Sequence, residues 1–101
     1  MDMRSFQREI EALVNRAEEN GLFVKRSNEG ILVHLVEEIG EIARAINDEQ
    51  QRTRTLDKAR IAEEVGDAIV LLNQLASRYG IDLSKECREK LERLRKRIDT
   101  E

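Results

Sequence analysis

The sequence predicts an all-α fold, a four-helix bundle-like protomer, on three observations. The chain has 101 residues with no proline, 39% charged and 40% hydrophobic side chains, a composition suited to long amphipathic helices and not to a disordered acidic chain. Four stretches carry apolar residues at intervals of three and four, the helical period. A motif of two acids, a branched apolar residue, a glycine and a further acid occurs twice, as Glu37-Glu38-Ile39-Gly40-Glu41 and as Glu63-Glu64-Val65-Gly66-Asp67, each time inside an apolar helical sequence.

Helix one is predicted from a cap at Ser5, with Phe6, Ile10, Leu13, Val14 and Ala17 on its apolar face and Asn20-Gly21 as its stop. The following segment, Leu22 to Arg26, carries Phe23, which offers either a core plug or a ring to stack on the base of a ligand. Ser27 or Asn28 caps helix two, and Leu32, Leu35, Val36, Ile39, Ile42, Ala43 and Ile46 give it a broad apolar stripe. His34 stands one turn before Glu38 and is read as a packing or surface residue outside the site, because no second histidine or cysteine joins it. Asn47 to Thr55 reads as a polar connection, and helix three as about Leu56 to Tyr79. Gly80 stops that helix and Asp82 caps helix four, whose apolar row is Leu83, Cys87, Leu91, Leu94 and Ile98.

A chain of this length makes one domain, residues 1–101, with a modest core. Helix three is apolar nearly all round from Ala68 to Leu72, more than one protomer can cover, so a homo-oligomer, dimer or tetramer, is expected. That run is far short of the roughly 20 residues that span a bilayer, and no membrane partner is expected. A net charge of -3 makes nucleic acid an unlikely partner. One cysteine, Cys87, and a start at Met1 to Ser5 without an apolar leader lead to the expectation of a cytoplasmic protein.

The acids carry the chemistry. Residues three apart share a helix face, so Glu38 pairs with Glu41 and Glu64 with Asp67. Both pairs lie on or beside rows that face the core, where an uncompensated carboxylate is costly and a bound cation is a usual remedy. The glycine in each motif costs about 1 kcal/mol of helix propensity relative to Ala, and a close approach of the two helices beside the acids is the expected compensation. Three or four carboxylates with no soft ligand suit Mg²⁺, or Mn²⁺, better than zinc or copper. Such a site activates water against a phosphoryl centre, with Glu37 or Glu63 as a spare carboxylate to orient or deprotonate that water. Di-iron chemistry is disfavoured, since Glu-x-x-His motifs are absent.

With these residues in view, the chain resembles the MazG-like all-α nucleoside triphosphate pyrophosphohydrolases, relatives of the dCTP pyrophosphatases and dimeric dUTPases. The resemblance rests on Glu37-Glu38-Ile39-Gly40-Glu41 followed by Glu64-Val65-Gly66-Asp67, with Tyr79-Gly80-Ile81-Asp82-Leu83 leading into the last helix, and extends over about residues 5 to 97. It implies cleavage of a nucleoside triphosphate between the α and β phosphates, with Mg²⁺ held by Glu38, Glu41, Glu64 and Asp67 and with Glu37 as the motif's extra acid. Lys90 and Arg97 match the family's phosphate-binding cations, while Leu94 stands where the family carries Asn. The family's tryptophan segment before the first motif is absent here, and Phe23 is the nearest candidate for a base contact. Two other readings stand beside the enzyme: a non-enzymatic helical interaction protein with solvated acids, and a nucleic-acid-binding adaptor that uses the basic helix four.

Overall fold

The computed structural model describes residues 1–50 and 57–100, the side chains of residues 49 and 50 excepted. It contains four helices, α1 (Met3–Glu19), α2 (Asn28–Gln50), α3 (Lys58–Arg78) and α4 (Leu83–Thr100), and no strand among the described residues. The expected all-α architecture is the one the chain adopts.

Helix ends follow from local side-chain chemistry, with two departures from the sequence expectation. Asp2, not Ser5, caps α1: its carboxylate accepts the Ser5 amide at 2.8 Å, so Ser5 lies inside the first turn. Ser27 caps α2 by accepting the Gly30 amide at 3.0 Å. That helix runs on to Gln50, so Asn47 and its neighbours, expected in the connection, complete its last turn; the rest of the expected connection, with Leu56, lies outside the described residues. Asp57 then caps α3 through the Arg60 amide at 3.1 Å. Gly21 and Gly80 take φ of 79° and 65° at the stops after α1 and α3, a backbone region that side chains disfavour.

The core sits between α2 and α3, which run antiparallel. Ile31 and Leu35 of α2 pack with Ala68 and Leu71 of α3, and Leu75 closes over them. The same rows continue through Glu38, Ile42 and Ala45 on one helix and through Glu64 and Ile61 on the other, all buried or half-buried. The broad stripe expected on α2 is thus divided. Its Leu35 and Ile42 face α3, whereas Leu32, Val36, Ile39 and Ile46 stay exposed, as do Val65, Ile69 and Leu72 of α3.

Helix α1 lies across α3, and α4 rests on α1. Buried Gln7 ties the three together: its amide nitrogen donates to the Ile81 carbonyl at 2.8 Å and to Ser77 Oγ at 3.3 Å, and its oxygen accepts the Leu83 amide at 3.0 Å. All four helices therefore join, but loosely. The radius of gyration is 16.7 Å, against about 13 Å for a compact chain of this size. No residue of α4 is buried, and Ile98 is 69% exposed.

Ile31 is fully enclosed at the centre of the α2–α3 contact. Ile31→Ala is expected to cost about 2–5 kcal/mol of unfolding free energy, through lost transfer energy and the cavity left behind. Urea titration checks this, and a loss under about 1 kcal/mol would place the core elsewhere.

Candidate metal centre

Because α2 and α3 pack along the rows that hold the motifs, one acid from the first motif meets two from the second. Glu38, Glu64 and Asp67 each present a carboxylate oxygen within 4.8 Å of the others. Glu38 and Glu64 are half-buried and Asp67 is exposed, so the group opens to solvent on one side. Glu38 Oε1 lies 3.2 Å from His34 Nε2, while its Oε2 is buried without a partner. His34, read from the sequence as outside the site, is therefore beside it, and Arg26 contacts the imidazole through Nδ1. The i,i+4 spacing from His34 to Glu38 was the available signal.

Glu41, the fourth expected ligand, is turned away from the group. Its Oε2 accepts from Arg60 Nη2 at 2.7 Å, and its Oε1 lies 3.6 Å from Arg44 Nη1. Glu37 and Glu63 are exposed beside the group and outside it. Lys90 and Arg97 are exposed on α4, whose main contact is with α1, so packing within the chain does not carry them to the acids. Phe23 is 50% exposed and hence not a core plug. It lines a cavity of about 520 Å³ together with Asp67, His34, Arg26, Gln74 and Arg78. The glycines do not serve the expected close approach: a Cβ at Gly40 or Gly66 would meet no atom within 4 Å, and both residues face open space.

The electrostatics match a cation-binding set. Glu64 is pushed up to about 7 from an ordinary 4.5, first by a proton shared with Glu38, then by partial burial, then by the charges of Glu38, Glu41 and Asp67. Three hard oxygens with an orphaned buried Glu38 oxygen, and no thiolate, fit a divalent ion such as Mg²⁺ or Mn²⁺. An ion there would give that oxygen a partner and relieve the mutual repulsion.

A carboxyl held above its ordinary value binds more protons in the folded than in the unfolded chain, so folding weakens as pH rises through that window. In chelator-treated protein the melting temperature is expected to fall between about pH 4.5 and about pH 7, and Glu64→Gln is expected to flatten the slope. Asp2 and Asp82, held below their ordinary 3.8 by hydrogen bonds to the Ser5 amide and to Arg4, act in the opposite sense and lower in pH. Thermal melts across pH 4–8 separate the two, and a wild-type slope unchanged in Glu64→Gln would remove Glu64 as its source.

Comparison with known proteins agrees with this geometry. The MazG nucleotide pyrophosphohydrolase domain matches residues 26–100, a span that takes in α2, α3 and α4 and leaves α1 outside. The chain is similar to the uncharacterized protein YvdC of Bacillus subtilis (strain 168), with 35% identity over 74 residues, 64% of this chain and 70% of that protein. No solved structure matches it. No helix among the described residues is long and apolar enough to cross a membrane. With both acidic motifs inside the matched span and their carboxylates converging between α2 and α3, the chain belongs to the MazG nucleotide pyrophosphohydrolase domain family.

Proposed function

We propose that this protein is a Mg²⁺-dependent pyrophosphohydrolase that cleaves nucleoside or deoxynucleoside triphosphates, canonical or aberrant, between the α and β phosphates, giving the monophosphate and pyrophosphate. The observation that carries this reading is the meeting of Glu38, Glu64 and Asp67 at one edge of a cavity lined also by Phe23. In that arrangement the acids are the metal ligands, with Glu41 as a fourth, and Phe23 is the surface for the base. When bound, the divalent ion supplies a polarised phosphoryl oxygen and an acidified water. Glu37, exposed one residue before Glu38, is assigned the role of orienting and deprotonating that water. Lys90 and Arg97 are assigned to phosphate oxygens on their match to the family pattern. Residues 1–101 act as one domain in this reading, since α1 closes one side of the cavity through Val14 and Glu18. The work is placed in the cytoplasm, where Cys87 would remain the free thiol it is here.

The same reading calls for a homo-oligomer. Exposed Leu32, Val36 and Ile39 on α2, together with Val65, Ile69 and Leu72 on α3, are an apolar surface that the single chain leaves to water. A second copy covers it in this proposal. Sedimentation at low micromolar concentration is expected to give a dimer or tetramer, and a well-folded monomer there would refute the argument from burial.

The activity test is a nucleotide panel with Mg²⁺, reading monophosphate, pyrophosphate and orthophosphate separately; release of orthophosphate from the γ position would overturn the α–β assignment. Asp67→Asn keeps the side-chain shape and removes a ligand charge. Loss of an outer-sphere partner typically costs 10–100-fold, so loss of a direct ligand is expected to lower turnover by roughly a hundredfold or more. Wild-type protein at 100 times the ion's Kd should gain about 2.7 kcal/mol of stability, and the Asn variant much less. Without metal the variant should melt no lower than wild type, because a repelling charge beside Glu64 is gone. Equal Mg²⁺ stabilisation of both proteins would show that Asp67 is not a ligand.

A further inference from the structure

We infer that Arg60 is a positioning residue that competes with the divalent ion for Glu41, holding this fourth carboxylate off the metal until an ion arrives. The inference rests on the metal reading above. Glu41 and Glu38 stand one turn apart on α2, and Arg60 and Glu64 one turn apart on α3, so across the packed helices Arg60 occupies the place opposite Glu41 that Glu64 occupies opposite Glu38. The consequence is an asymmetric set of four acids. Three turn their oxygens toward each other within 4.8 Å, and the fourth is engaged on both oxygens by guanidinium groups, Arg60 at 2.7 Å and Arg44 at 3.6 Å.

Glu41 lies one helical turn from Glu38 on the same side of α2. A rotation of its side chain is the change that separates a three-carboxylate from a four-carboxylate set. The opposing bond is weak enough to yield. The Arg60 and Glu41 side chains are 35% and 37% exposed, and a pair screened to that degree is worth roughly threefold in an equilibrium constant. A divalent ion among three carboxylates outcompetes a bond of that size. Without an ion, Arg60 offsets one of four crowded negative charges, and this matters because α2 and α3 must pack along the row that holds them.

Two explanations of an Arg60 effect must be separated: action through Glu41, and the mere presence of a positive charge near the site. The test is a double-mutant cycle read by Mn²⁺ titration calorimetry on the full chain. Arg60→Gln is expected to tighten Mn²⁺ binding about threefold in the wild-type background and to have no effect once Glu41→Gln is present. Arg44→Gln, which removes an equal charge from a side chain 68% exposed, is expected to have a smaller effect than Arg60→Gln. An equal gain from Arg60→Gln in both backgrounds, or weaker Mn²⁺ binding by Arg60→Gln, would overturn the role of Arg60 and leave the metal reading intact. Failure of the wild type to bind Mn²⁺ at all would overturn both. A second measurement needs no variant: Mn²⁺ is expected to raise the reactivity of Arg60 in the wild type toward an arginine-directed dicarbonyl reagent, and unchanged reactivity would overturn the inference.

Discussion

The α2–α3 contact is the constraint on which the rest of the structure depends, because one pair of helical rows serves two incompatible purposes. Near the start of α2 it is an apolar core, with Ile31 and Leu35 against Ala68 and Leu71. One turn further along α2 it becomes Glu38 against Glu64, with Asp67 beside them. Helix geometry permits no gradual transition, since the residue that follows Leu35 in the row is Glu38 or Ile39, and Ile39 points to solvent. The apolar half therefore sets the register, and the register forces the acids together.

Most of the polar detail around the motifs follows from that forced meeting. Glu64 is held above its ordinary value beside Glu38, Glu38 leans on His34, and Glu41 takes Arg60. These partners reduce the repulsion without removing it, as the buried Glu38 oxygen left without a partner shows. A structural ion pair would end with every group satisfied. This arrangement is incomplete within the chain's own atoms, and its outer acid, Asp67, borders the cavity that Phe23 and Arg78 line. Unsatisfied charge at the mouth of a cavity is the pattern of a binding site.

The four helices and the convergence of Glu38 with Glu64 and Asp67 were legible in the sequence, because periodicity and i,i+3 spacing are local properties that tertiary packing preserves. Other features were not. The α1 cap fell to Asp2 over Ser5, two residues that both satisfy the same chemical rule, and only the geometry of the first turn decides between them. The division of the α2 stripe into a buried row and an exposed row depends on what packs against it, so Val36 and Leu35 look alike in sequence and differ completely in burial. Gln7 is a polar residue on an apolar helix with no local pattern to mark it. Its role comes from the Ile81 carbonyl and the Leu83 amide, more than seventy positions away, at the turn into α4.

The glycines show where an argument from sequence reached a sound premise and a wrong place. Gly40 and Gly66 do cost helix propensity, and neither is repaid by helix contact within the chain, since a Cβ at either would stand in open space. Both follow directly after an exposed branched residue, Ile39 and Val65, on the surface that also carries Leu32, Val36, Ile69 and Leu72. Small residues beside a broad apolar face lower its relief and let another backbone come close. The cost that α2 and α3 do not recover from each other is thus one that a second copy laid on this face could recover.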